Sequence, residues 1–573
     1  MAPPPTYDFI IVGAGTAGCL LAHALSRTPS KPSVLLLEAG TQPSGDYLHA
    51  PFHRFHAAAL RPDLDHGYVS APEPALNGRR ITYNRGKGLG GTSILNFGVY
   101  LYGSREDYNR WGEIVGDEEW KWESVRESFH AMETYDFSGS SQYSHLANPG
   151  TSRHGTSGAL KVGLPPTLER GVVPQMEAVV AAGEEINLDP NSGDPMGISV
   201  FPYSYSKMGR STSAIAHLYD KPSNLEVWTG ARAERLVFER QRVVGVVTED
   251  GREATAGKEV ILCGGALDTP KLLLLNGIGP KAELEALGID VRKDLPGVGK
   301  HLSDHILAFM CVEVDGSINE RYTFESNEAL IASAQELWNK DQSGAFALQQ
   351  SVLWGGFLKL PGLENLPEYT QLPADVQEFL SRDTIPAYEF ICNGPLWPPG
   401  SQVTPGNSYL TSIAFLMHPQ SQGSVTLQSK NAADKPVIQL NYLTHPYDRA
   451  VFREAIRNTW TKMFENPGIK PSVRKTLSGP ASLSDQDVDA FAKDHAGTVW
   501  HANGTVKMGQ EGETDACVDK DGKVFGVQGL RVADLSVCPL TTSNHTQATA
   551  YLVGRKISEK MIREYGLAAV VAG

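Results

Sequence analysis

Short apolar runs separated by glycine-broken turns assign the first forty residues. Residues 9–12 and 34–37 are uninterrupted apolar runs of strand length. Runs without polar alternation are what parallel strands covered on both faces require. Residues 7–40 are therefore predicted as strand, tight turn, helix, strand. From Gly40 to about Arg80, Pro43, Pro51, Pro62, Pro72 and Pro74 interrupt any long helix. So long an irregular stretch is more than a connection and predicts a cover over a ligand site, spanning about residues 41–80. Residues 224–240 and 243–248 read as strands of a small sheet, and 259–262 as a buried strand running into Gly264-Gly265, where the α/β layer resumes. Between about Ala308 and Asp489 the pattern changes. Aromatics are frequent (Trp338, Trp354, Tyr388, Phe390, Trp397, Phe415), prolines gather at Pro395, Pro398 and Pro399, and alternation such as residues 423–428 predicts an antiparallel sheet. No internal repeat or low-complexity tract interrupts the chain.

Composition narrows the class. A chain of 573 residues with 41% hydrophobic and 20% charged residues is long enough for two associated domains. No apolar run approaches the roughly eighteen residues that a membrane span needs. A net charge of −14 without clustered Lys or Arg argues against nucleic acid or another polyanion as partner. The six cysteines are scattered without metal-ligand spacing, and Cys19 and Cys263 lie in apolar stretches, as buried small hydrophobes do. With the first strand starting close behind Met1, no secretory signal fits in front of it, and an intracellular, cytoplasmic location is expected. The sequons at Asn503 and Asn544 are then expected to stay unmodified. No metal is expected, from His53 and His56 or elsewhere.

The candidate chemistry begins in the first turn. Gly13, Gly15 and Gly18 have the dinucleotide-binding spacing: one for the tight turn, one for close approach to a pyrophosphate, one for helix-strand packing. The helix N-terminus offers unpaired N–H groups to the phosphates. Glu38, at the end of the second strand, is placed to accept the two ribose hydroxyls. This leaves NAD and FAD both open. A second segment, residues 85–96, puts four glycines in six residues against a flat or charged ligand, with Thr92-Ser93 as a helix cap and Asn96 as a ring-contacting amide.

At this point the sequence resembles the glucose-methanol-choline (GMC) oxidoreductases. The opening unit, the loop from Gly86 to Asn96, residues 265–279, residues 295–305 and residues 500–551 look like that family's landmarks, in family order. Asn276 stands where serine is usual. The resemblance implies a GMC fold: an α/β FAD-binding Rossmann-like domain with an α+β substrate domain built on an antiparallel sheet. It divides the chain into residues 1–307, a substrate domain at 308–489, and a return to the FAD domain at 490–573. It implies FAD rather than NAD, with contacts from Gly13, Gly15, Thr16, Ala17, Gly18, Glu38 and Ala39; from Arg85, Gly90, Gly91, Thr92 and Asn96; and from Ala233, Asp534 and Thr546. Some relatives attach the flavin through a histidine just before the loop asparagine. Leu95 stands there, so the FAD is expected to be non-covalent.

Residues 500–509 are similar to the family's catalytic-histidine segment, and His545 falls where many relatives have asparagine. The resemblance thus implies a His/His pair like that of glucose and aryl-alcohol oxidases. Oxidising an alcohol removes a hydroxyl proton and a hydride from one carbon, so a base of near-neutral pKa and a second group holding the oxygen are needed. His501 is assigned as the base and His545 as the orienting partner. Trp500, Asn503 and Trp397 are substrate-contact candidates. The expected reaction is oxidation of a primary alcohol on an apolar or aryl skeleton, a biosynthetic intermediate, with O2 or another electron acceptor. The alternative is a non-redox lyase of the hydroxynitrile type. His501 argues against the light-driven decarboxylase branch.

Overall fold

The unit expected from residues 7–40 is present as β1 (Thr6–Val12), α1 (Thr16–Ser26) and β2 (Val34–Leu37) in the computed structural model, which describes residues 3–45, 49–55, 57–206, 209–316, 318–319, 321–348, 353–392, 404 and 406–568. His56, Pro395, Trp397, Pro398 and Pro399 lie outside the described residues. All four β2 side chains are buried, each worth about 1.5–3 kcal/mol against exposure. β1 and β2 pair in parallel, with Phe9 opposite Val34.

The sheet around them has seven strands. β3 (Leu225–Trp228) lies parallel outside β2, and β6 (Glu253–Leu262) lies parallel on the other side of β1. β6 then serves two neighbours. Its first half pairs antiparallel with the hairpin of β4 (Ala233–Glu239) and β5 (Arg242–Thr248). Its last residues pair in parallel with β13 (Leu530–Val532), Val260 opposite Leu530. Residues 224–240 therefore form two strands of the main sheet rather than part of a separate small one. The break falls at Gly230, whose left-handed backbone (φ +57°) turns the chain out of β3.

The second sheet is antiparallel, in the order β8 (Trp354–Leu358), β9 (Tyr388–Cys392), β10 (Ser408–Leu416), β7 (Ile306–Val314), β11 (Val473–Ser478). The short β12 (Gly497–Thr498) pairs with β7, Thr498 opposite Ile306. The alternation singled out at residues 423–428 belongs elsewhere, in a two-stranded ribbon of Ser424–Thr426 with Val437–Gln439. The helix α3 (Pro446–Met463) packs against β9 and β10. Across the sheet one row reads Phe357, Glu389, Phe415, Leu307, three apolar side chains and one carboxylate.

The long helix α4 (Gln547–Glu564) packs along α1. Gly554 permits the approach, since a Cβ there would lie 2.7 Å from the Ala17 carbonyl. The described residues between 41 and 80 include short helical turns and the two-residue strand Tyr68–Val69. Phe52 of this stretch stacks on Phe346 at 4.4 Å, so the expected cover is anchored on the region following β7. All six cysteines are buried free thiols, and no helix among the described residues is long and apolar enough to cross a membrane.

Candidate active site

One continuous cavity of about 950 Å³ runs from the first glycine turn to the second sheet. At its inner end Gly13 adopts φ +105°, and a Cβ there would meet the Cys263 carbonyl at 2.4 Å. Gly91 (φ +53°) brings the second glycine segment onto the first, its missing Cβ only 2.5 Å from Gly15 Cα. Both glycine-rich segments thus present main chain to one space. Thr16, Ala17, Glu38, Ala39, Arg85, Thr92, Asn96, Ala233, Asp534 and Thr546 line it with them. Gly18 and Gly90 do not. A Cβ on Gly18 would lie 2.0 Å from the Gly13 carbonyl, so Gly18 serves helix-strand packing, and Gly90 donates its N–H to the Ala14 carbonyl at 2.8 Å.

Glu38 accepts the N–H groups of Ala14, Gly40 and Gly88 at 2.8–3.0 Å. Three of the four carboxylate acceptor sites are thereby used, and burial pushes the carboxyl up to about 7. Asp534 accepts from Gly265 N–H, Thr269 Oγ1 and Ser536 N–H, so it pins the start of α2 (Gly265–Leu275) to the strand β13. Asn96 donates to Gln547 Oε1 at the start of α4. The Thr92-Ser93 pair does not cap a helix of its own. Residues Gly91–Ile94 make a single 3-10 turn, and Ser93 Oγ accepts the Ser213 N–H instead.

At the other end stand His501 and His545, ring centroids 5.1 Å apart and nearly perpendicular. His501 follows Trp500, which has a left-handed backbone at φ +61°. For a bulky side chain that conformation costs about 1–3 kcal/mol and persists only where neighbours over-determine it. Here they do. Trp500 N–H donates to Thr498 Oγ1 and Arg85 Nη1 donates to the Trp500 carbonyl, both at 2.7 Å. Asp304 Oδ1 accepts the His501 N–H at 2.8 Å. Asp304 Oδ2 accepts Tyr83 OH and Thr498 Oγ1, each at 2.6 Å, and Tyr442 OH. Asn503, expected against substrate, donates instead to the carbonyls of His501 and Ser303 and to Thr541 Oγ1. It is not among the residues lining the cavity. The segment's own carbonyls capture its amide.

The two imidazoles have unlike partners. His501 Nδ1 lies 2.9 Å from His305 Nδ1 in a buried contact. Burial, then His545, His305 and Arg85, hold His501 well below the ordinary imidazole range. His545 Nε2 lies 3.0 Å from Glu389 Oε1, the lone carboxylate of the apolar row across the second sheet. Neither partner had been assigned a role from sequence. The available signal for Glu389 was one acidic residue inside the fully buried strand Tyr388–Cys392, and for Asp304-His305 a polar pair directly before the apolar run of β7. Around the imidazoles the wall is aromatic and aliphatic. Phe55 and Phe97 meet edge to face at 4.7 Å and Phe97 meets Trp500 at 5.8 Å; Val99, Leu307, Phe309, Tyr322 and Val499 complete it.

A cradle of two glycine segments at a helix N-terminus, opening onto an imidazole pair, defines a redox enzyme that works with a bound dinucleotide. GMC oxidoreductase profiles match residues 7–307 and 419–554, and the chain belongs to that family. An oxygen-dependent choline dehydrogenase of Stenotrophomonas maltophilia is 32% identical over 576 residues, 96% of this chain and 94% of its own. One from Rhizobium etli is 33% identical over 583 residues, 98% and 96%. The fold is similar to that of an Aspergillus oryzae formate oxidase variant, with a TM-score of 0.88 and 26% identity over 99% of this chain and 100% of that one. It is also similar to a fungal aryl-alcohol oxidase, TM-score 0.83 at 24% identity over 98% and 99%. This protein is an FAD-dependent alcohol oxidoreductase with the GMC fold. The residues present fit FAD: bare glycine main chain and the α1 N-terminus suit the pyrophosphate, Glu38 keeps one acceptor site for a ribose hydroxyl, and the α4 N-terminus with Thr546 faces the same space.

Proposed function

We propose that the protein oxidises a primary alcohol on an apolar or aryl skeleton to the aldehyde, with His501 as the base and His545 as the group that holds the substrate oxygen. The observation that carries this reading is the unlike partnering of two imidazoles at one cavity end. His501, buried against a second imidazole, is favoured as the neutral ring, which has a lone pair for the hydroxyl proton. His545, held by Glu389 Oε1 at its Nε2, stands across the cavity end from His501 as the polar group that meets the substrate oxygen. FAD, when bound, accepts the hydride. The protein's part is to orient the hydroxyl between the rings, take its proton on His501 and exclude water with the aromatic wall. Leu95 gives that wall no nucleophile for a flavin link, which supports non-covalent FAD.

The wall also supports the substrate class. The carboxylate on this part of the lining, Glu325, is ion-paired with Arg321 at 3.0 Å, so it is not an open counter-charge for a quaternary ammonium. An imidazole pair at the end of the cofactor cavity supports O2 as the electron acceptor. The test is anaerobic mixing of the yellow holoprotein with aryl, aliphatic, sugar and quaternary-ammonium alcohols while the visible flavin band is followed. Bleaching is expected with aryl and long-chain primary alcohols, and fast recovery with peroxide on admitting air. Bleaching by choline alone would overturn the substrate class, and slow recovery would make the enzyme a dehydrogenase.

A further inference from the structure

The contact between His305 and His501 joins Nδ1 to Nδ1, and that constrains where protons sit. Two neutral imidazoles in such a contact share one proton between those atoms, so each ring's other nitrogen is in the opposite state from its partner's. If His305 donates, His501 carries its proton on Nε2 and has no lone pair there for a substrate. If His501 donates, its Nε2 lone pair is free and His305 carries a proton on its own Nε2. Only the second arrangement makes a base of His501 Nε2.

The role of His501 as base selects the second, and the geometry allows it. The His305 ring is fully enclosed, and its Nε2 has no hydrogen-bond partner among the described residues, so no donor there faces that nitrogen to demand a lone pair. The other ionisable rings near His305 are His418 and His545. His418 is held to Ser543 Oγ at 2.8 Å, and burial keeps its pKa down at about 3, so it brings no competing positive charge.

Resting on the assignment of His501 as base, we propose that His305 is a positioning residue that fixes the tautomer of His501, holding its proton on Nδ1 and leaving the Nε2 lone pair for the substrate hydroxyl. When the hydroxyl O–H breaks, its proton bonds to Nε2 and His501 becomes an imidazolium whose Nδ1–H is still given to His305. His305 need not change protonation. It touches neither substrate nor cofactor, and acts by denying His501 the unreactive tautomer.

The direct test is ring nitrogen NMR of the 15N-histidine-labelled holoprotein, with His501→Ala used to assign the signals. A pyrrole-type Nδ1 and a pyridine-type Nε2 on His501 are expected, and the reverse pattern overturns the proposal. The kinetic test pairs His305→Leu, which removes the acceptor, with His305→Asn, whose carbonyl replaces it near the Nδ1 position. By analogy with outer partners of metal-bound histidines, the Leu variant is expected to lose about 10–100-fold in the limiting rate of flavin reduction. Its FAD content and substrate dissociation constant should stay unchanged, and the Asn variant should recover most of the rate. A Leu variant with wild-type rate and pH profile, or an Asn variant as slow as Leu, overturns it. The NMR readout stands if the Leu variant does not fold. It also stands if no alcohol reduces the wild-type flavin, an outcome that would defeat the functional reading alone.

Discussion

Glu389 occupies a strand position that its neighbours reserve for apolar side chains, and a buried carboxylate there is tolerable only because His545 meets it. Replacing it with glutamine keeps the shape and removes the charge. Hydrogen bonds to charged groups are worth about 1.5–3 kcal/mol, so Glu389→Gln is expected to slow flavin reduction by about tenfold or more in stopped-flow traces. The same residue scale fixes a pH dependence. Because His501 is held well below the ordinary imidazole range by burial and its neighbours, the base form persists as pH falls. The rate of flavin reduction should therefore stay level from pH 8 down past 6.5 and decline only in more acid solution. A decline centred near 6.5 would mean that His501 titrates as a free imidazole.

The strand-helix-strand unit that opens the chain was legible in the sequence for a physical reason. Glycine spacing, a fully apolar strand and a terminal carboxylate are local signals, and β1, α1, β2 and Glu38 all appear where those signals put them. Contacts between distant segments were not legible. The meeting of Gly91 with Gly15 depends on how two remote loops fold together, and Glu389 reaches His545 across 156 residues of sequence. Asn503 was misjudged because its nearest acceptors are carbonyls of its own segment and of Ser303, which spacing alone does not reveal. A test at this scale is Gly91→Ala. It adds a methyl 2.5 Å from Gly15 Cα at φ +53°, with about 1–2 kcal/mol of backbone cost before the clash is counted. The variant is expected to purify with little bound FAD, read from its visible absorbance, while His501 and His545 keep their places.

Across the whole molecule, Asp304 ties parts that are far apart in sequence. It accepts Tyr83 from the strand paired with Tyr68–Val69, Thr498 from β12, Tyr442 from the segment between β10 and α3, and the His501 main chain. Its removal would leave four donors without their acceptor, each costing about 1–3 kcal/mol if it stays unpaired. Asp304→Ala is therefore expected to lower the melting temperature by several degrees and to cost activity beyond what residual folded protein explains. Thermal unfolding and flavin reduction measured on the same sample separate the two. The pairing of Thr498 with Ile306 has another consequence. The chain enters the second sheet and leaves it through the same doorway, on residues that face each other across two strands. Whatever length lies between them, the first sheet meets the same two ends. The body built on the second sheet can thus be lengthened, trimmed or exchanged during evolution as a cassette, without disturbing the frame of the first sheet.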